Sequence, residues 1–342
     1  MRLSTILVLG WVVALNSGST KAHVNTRLLE PVSLESVYVQ DAFWSPKLAV
    51  WRSVTVNDAL DKFEQAGAFR NFDRVAKGLH EKHEGPPWFD GLVYETIRAA
   101  SDFLACGSDP VLEKRLDGYI QRIAAAQQRS SDGYILTYTQ LDEPGHQWGL
   151  NGGYQRWQHE LYNAGALVEA GTHHYRATGK TQLLEVAVRF ANLMCDLIGP
   201  SPKLSLVPAH SLPEEALTEL YVLFRDSPAV KSQLPVSVEE IRYLRLAEYW
   251  LENRGNNCGM PTSEQWDKAE SECEAWIRGQ SYLGKGRASW GLYAQDHLSV
   301  FEQKTLEGHA VRATLMCAGL SAAARVNGNR QYVEAAARLW DN

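Results

Sequence analysis

A repeated helical hairpin is the feature that most constrains this chain. "HELYNAGALVEAGTHHYRATGKTQLLEVAVRF", from His159, and "GHAVRATLMCAGLSAAARVNGNRQYVEAAARLW", carrying His309, share one layout. Aligned on the histidines, Gly179 and Gly328 fall at nearly the same offset. Each glycine is followed four residues later by an apolar residue, Leu183 or Tyr332, and eight later by an alanine, Ala187 or Ala336. Such a layout reads as a helix, a short Gly turn and a second helix. A middle copy opens at "AHSLPEEALTELYVLFRD", with His210, and resumes at "RYLRLAEYWLENRG" after an insertion. A weaker copy, led by Asp90, runs "DGLVYETIRAASDFLACGSDPVLEKRLDGYI". Strand patterns are sparse, Ser33–Val39 and Tyr134–Tyr138 being the best two.

Repeated αα-hairpins build either a solenoid or a closed ring. Solenoid repeats step regularly, whereas here the step from His210 to His309 is about twice that from His159 to His210. A ring of hairpins fits better, and the chain is predicted to be all-α. In such a ring the first helices run parallel inside and their N-termini share one rim. Asp90, His159, His210 and His309 all stand at first-helix starts, so they are expected to converge on one mouth.

A histidine at a helix N-terminus feels the positive end of the helix dipole, which disfavours its charged form. Neutral imidazole has one donor and one acceptor. That suits sugar hydroxyls, and it also suits a metal ion. Glu214 lies four residues after His210, on the same helix face. Glu160 follows His159 directly and points elsewhere. Glycosidases need two carboxyl groups at a set separation, and spacing alone selects no such pair here. Asp142, Glu143, His146 and Trp148, in "DGYILTYTQLDEPGHQW", lead into the His159 helix and suit a polar, aromatic loop beside the mouth.

Composition narrows the partners. A hydrophobic content of 45% excludes wholesale disorder, and a net charge of −6 with no basic patch argues against nucleic acid. Arg2, the apolar run Ile6–Leu15 and the small-residue site Thr20-Lys21-Ala22 read as an export signal. Residues 1–22 are therefore expected to be removed near His23, leaving no membrane span and a periplasmic or secreted protein. Cys106, Cys195 and Cys317 lie among helical apolar residues, while Cys258 and Cys273 flank a polar insertion and are candidates for pairing. No C-x-x-C or Cys/His ligand spacing occurs, so no metal-ligand set is assigned.

"HELYNAGALVEA", "YAQDHLSVFEQKTLEGHAVRA" and "DGYILTYTQLDEPGHQW" together resemble glycoside hydrolase family 127, which includes bacterial β-L-arabinofuranosidases. "FWSPKLAVWRSVTV" looks like the usual start of its catalytic domain, and the resemblance covers about residues 31–342. It implies an (α/α)6 toroid, the six-hairpin glycosidase fold. It also implies an exo-acting retaining glycosidase whose zinc holds a cysteine thiolate nucleophile. His159, His210 and His309 match the family's sugar-binding histidines, and Asp90 and Glu214 join them as substrate-binding candidates. The family's acid/base glutamate, zinc-binding glutamate and zinc-binding cysteines fall after the segment matching "ARLWDN". No catalytic residue and no cofactor is therefore assigned within this chain, and zinc is expected in a full-length member. Residues 31–342 are expected to form a partial catalytic domain, without the β-sandwich that usually follows. Insertions at Ser227–Val238 and Asn256–Gly279 and the sequence "SLPEE" after His210 depart from the family pattern. The expected function is a glycosidase on arabinose-containing glycans, inactive in this form. The alternatives are a non-catalytic sugar-binding relic and a sugar epimerase or isomerase on a similar toroid.

Overall fold

Hydrophobic burial sets the ring's inner layer. The segment Glu160–Thr178 is apolar or small on nearly every face, and most of its residues are buried. A helix apolar all round must be surrounded by protein. The computed structural model describes residues 32–150, 158–256 and 290–341, all within one unit, Val32–Asn342. The export signal, the Cys258–Cys273 pair and nearly all of the Asn256–Gly279 insertion lie outside the described residues.

Among the described residues 67% are helical and none lies in a strand. The helices are α1 (Trp44–Val50), α2 (Val56–Gln65), α3 (Ala68–Lys77), α4 (Phe89–Ala105) and α5 (Pro110–Gln127). They continue with α6 (Thr137–Asp142), α7 (Glu160–Thr178), α8 (Gln182–Leu197), α9 (Pro213–Asp226) and α10 (Ile241–Asn253). The described helices end with α11 (Trp290–Tyr293), α12 (Ala310–Asn327) and α13 (Arg330–Trp340). None is long and apolar enough to cross a membrane, among the described residues. The two expected strands are corrected. Leu34–Ser36 is a 3-10 turn, and the second segment turns into α6 at Thr137. Its backbone N–H is taken at 2.7 Å by the Asp90 carboxylate rather than by a neighbouring strand.

First helices of successive hairpins pack side by side in the order α4, α7, α9, α12, and each hairpin returns through α5, α8, α10 or α13. Matched ends show that the inner helices run parallel. Gly91 N–H donates to Asn163 Oδ1 at 2.6 Å near one end of α4 and α7. At the other end Asp102 pairs with His173 at 2.6 Å. Gly165 lets α7 and α9 approach closely, since a Cβ there would stand 2.8 Å from Pro213 N. The helical-toroid fold expected from the repeat is the one observed.

Candidate sugar-binding site

The start of α7 places the first histidine by an uncommon backbone conformation. His159 is the N-cap of α7 with φ 57° and ψ 28°, in the left-handed region. Non-glycine residues there are uncommon and recur at functional sites. His309 caps α12 through its ring, with Nδ1 accepting from Arg312 N–H at 3.3 Å. His210 stands three residues before Pro213, the first residue of α9. It is thus less equivalent to the other two than its place in the repeat implies.

The three imidazoles nevertheless meet. Ring centroids lie 6.1 Å apart for His159–His210 and 5.9 Å for His210–His309. Other rings extend the row. Trp88 is 4.9 Å from His159, Tyr162 is 4.6 Å from His210, and Tyr293 is 5.1 Å from His309. His159, His309, Trp88 and Tyr293 are half-buried, whereas His210 and Tyr162 are buried. Burial, then the Arg312 charge, then His159 push His210 down to about 2, so it is neutral at physiological pH. His309 is also lowered, by burial and then by Arg312. The mouth therefore presents two imidazoles held toward the neutral form, His210 and His309, beside aromatic faces, a surface suited to a sugar.

The two carboxylate candidates are placed differently. Asp90 is buried, and its two oxygens accept from Thr137 N–H at 2.7 Å and Thr137 Oγ1 at 2.6 Å. Glu214 Oε1 accepts from Arg254 Nη2 at 2.6 Å and Oε2 from Leu212 N–H at 3.1 Å. Asp90 ties the start of α4, beside Trp88, to the start of α6, and Glu214 ties the start of α9 to the end of α10. Glu302 and Glu307 are exposed, and Asp296 Oδ1 accepts from Gly255 N–H at 2.6 Å. The 142–148 loop is likewise anchored. Asp142 accepts from His83 N–H at 2.8 Å, and Trp148 is buried with its ring 5.4 Å from Tyr134. Arg312, Trp88, Tyr162 and Tyr293 were not read from the sequence. Tyr162 and Arg312 do carry a signal, each standing three residues after a rim histidine.

Glu160, beside His159 in sequence, is fully buried, accepts a hydrogen bond from the Tyr134 hydroxyl, and is pushed by burial from 4.5 up to about 7. In the unfolded chain it loses its proton near 4.5, while the folded chain keeps it to about 7. Its stabilising contribution is present at low pH and is lost as pH rises through that window, about 3 kcal/mol in all. Melting curves from pH 4.5 to 8 are expected to show a steeper loss for the wild type than for Glu160→Gln. Parallel curves would contradict this.

The resemblance assigns none of these groups to the zinc expected in a full-length member. Among the described residues no group of three or more His, Cys, Asp or Glu is placed to hold a metal ion. The Arg312 guanidinium lies among the rim histidines, with Nη2 3.4 Å from His159 Nε2, and its charge opposes a second cation there. No step is routed through a metal.

A family model described as "Beta-L-arabinofuranosidase, GH127 catalytic domain" matches residues 36–342. A non-reducing end β-L-arabinofuranosidase of Bifidobacterium longum subsp. longum is 28% identical over 278 residues, or 80% of this chain and 38% of that protein. A solved GH127 β-arabinofuranosidase superposes with a TM-score of 0.73 at 32% identity, covering 92% of this chain and 43% of its own. A GH127 β-L-arabinofuranosidase from Geobacillus stearothermophilus T6 gives 0.72 at 28%, covering 90% and 45%. The chain thus spans less than half the length of these relatives. The rim histidines lie inside the matched region, and the chain belongs to the GH127 β-L-arabinofuranosidase family.

Proposed function

We propose that this chain supplies the glycone-holding part of a β-L-arabinofuranosidase, gripping a terminal arabinofuranose of a glycan between His159, His210 and His309. The observation that carries this reading is the convergence of three imidazoles from three hairpins on one mouth. Hydrogen bonds from these rings act nearly alike on ground state and transition state, so they give affinity more than rate. Rate needs a nucleophile and a proton donor at the glycosidic oxygen. Cys195 does not serve as a nucleophile, because it is buried and its thiol is pushed up to about 12. Asp90 and Glu214 are occupied by protein partners. Residues 1–342 alone are therefore expected to bind the sugar and not to hydrolyse it. The same reading takes the protein to the periplasm or the exterior, on its Arg2–Ala22 signal.

An assay with an aryl β-L-arabinofuranoside, with and without added zinc, tests the lack of turnover. The expected result is no release of the aryl group above a blank. Turnover that disappears in His309→Ala would show that this chain carries its own catalytic groups, and would overturn this division of labour.

A further inference from the structure

The Arg312 side chain and backbone reach all three histidine-bearing segments. The residue sits in the first turn of α12 and is 2% exposed. Its Nη1 donates to Ala209 O, beside His210, at 2.7 Å. Its Nη2 lies 3.4 Å from His159 Nε2, its backbone N–H donates to His309 Nδ1, and its guanidinium carbon lies 4.5 Å from the Tyr293 ring centroid.

These contacts dictate where each ring carries its proton. Arginine only donates, so His159 Nε2 must accept and the neutral ring carries hydrogen on Nδ1. A backbone N–H also only donates, so His309 Nδ1 is the acceptor and its hydrogen sits on Nε2. His210 faces the Ser211 carbonyl with Nδ1 at 2.7 Å. A carbonyl only accepts, so His210 carries hydrogen on Nδ1 and leaves a lone pair on Nε2. The neighbouring rings of His210 and His309 thus carry opposite tautomers, one with an Nε2 acceptor and the other with an Nε2 donor. A pair of adjacent sugar hydroxyls, each both donor and acceptor, complements this pattern.

Resting on the reading that the three rings hold a sugar, we infer that Arg312 is a positioning residue that fixes an asymmetric donor–acceptor pattern selective for a vicinal hydroxyl pair. Lysine is a poor substitute, because one ammonium lacks the planar fork that serves Ala209 O and His159 Nε2 together.

The test is long-range ¹H–¹⁵N spectroscopy of the full chain labelled with ¹⁵N-histidine, recorded without sugar and assigned with single His→Asn variants. The expected wild-type result is an Nδ1–H tautomer for His159 and His210 and an Nε2–H tautomer for His309. In Arg312→Lys and Arg312→Gln, His159 is expected to lose its preference while His309, held by a backbone N–H, keeps its own. Affinity for methyl β-L-arabinofuranoside should fall about tenfold in Arg312→Gln. Loss of the 2-hydroxyl from the ligand should then matter less than in the wild type.

An Nε2–H tautomer at His159 in the wild type would overturn the inference, as would an unchanged His159 in both variants. If neither variant folds, the wild-type spectrum alone decides. The expected tautomers with no sugar binding would sink the sugar reading and leave the role of Arg312 in setting the protons intact. Sugar binding with the wrong tautomers would do the reverse.

Discussion

Glu214→Ala is expected to cost about 3–5 kcal/mol of folding stability, which lowers the melting temperature on the order of 10 °C. Glu214 and Arg254 form an ion pair with side chains 0% and 1% exposed. Arg254 also donates from Nη1 to Ala294 O at 3.0 Å. The pair thus ties the start of α9, the end of α10 and the loop before α12. Truncating the glutamate strands a guanidinium charge with no water to replace its partner, and breaking a buried pair from one side is costly for that reason. Glu214→Gln keeps oxygen and shape and should cost clearly less. A calorimetric scan of the three proteins checks this. An alanine variant as stable as the wild type, with only sugar affinity reduced, would instead make Glu214 a sugar ligand.

Gly308→Ala should be the next most damaging change. Gly308 has φ +78° and precedes His309 directly. A Cβ there would lie 2.1 Å from Leu292 O and 2.7 Å from Tyr293 Cα, both backbone atoms. The neighbouring chain is itself held, because Gln295 Nε2 donates to Tyr293 O at 3.1 Å and Glu307 O at 2.8 Å, with Leu292 O 3.3 Å away. The loop must therefore shift and carry His309 with it. Left-handed strain contributes roughly 1–2 kcal/mol, and the backbone clash adds to it. Gly328→Ala is the control, with φ +68° and nothing within 4 Å of its Cβ position. Gly308→Ala should be the less stable of the two and should lose sugar affinity, whereas Gly328→Ala should keep it. Equal losses of stability with affinity retained in both would contradict the loop's role.

The ring was legible because its signal is long. Apolar periodicity and the matched Gly179 and Gly328 turns mark whole hairpins, and helix N-termini follow from hairpin order. His159 and His309 were found this way as true N-caps. Asp90 was picked out by the same positional logic, and Glu214 by its four-residue spacing from His210, which in fact stands before α9 begins. Whether either carboxylate faces the mouth depends on partners from distant chain, here Thr137 and Arg254. Arg312 stayed hidden for a related reason. In sequence it is one more charge in a first helical turn, and only packing brings Ala209 and His159 to it. The titratable residues of "YAQDHLSVFEQKTLEGHAVRA" divide the same way, since Glu302 and Glu307 face solvent and Asp296 braces Gly255. The two amides in that stretch shape the loop. Gln303 Nε2 donates to Gln295 O at 2.9 Å and Leu298 O at 2.8 Å, and Gln295 secures the backbone just before His309.

Isothermal titration of the 342-residue chain with methyl β-L-arabinofuranoside tests the central claim most directly, with His210→Ala run beside it. His210 is the middle ring, about 6 Å from each of the other two. The account predicts one binding site in the wild type. It predicts an affinity about tenfold weaker in the variant, the size of one well-placed hydrogen bond. Equal affinity in a folded His210→Ala protein, or no binding to the wild type at all, would contradict it.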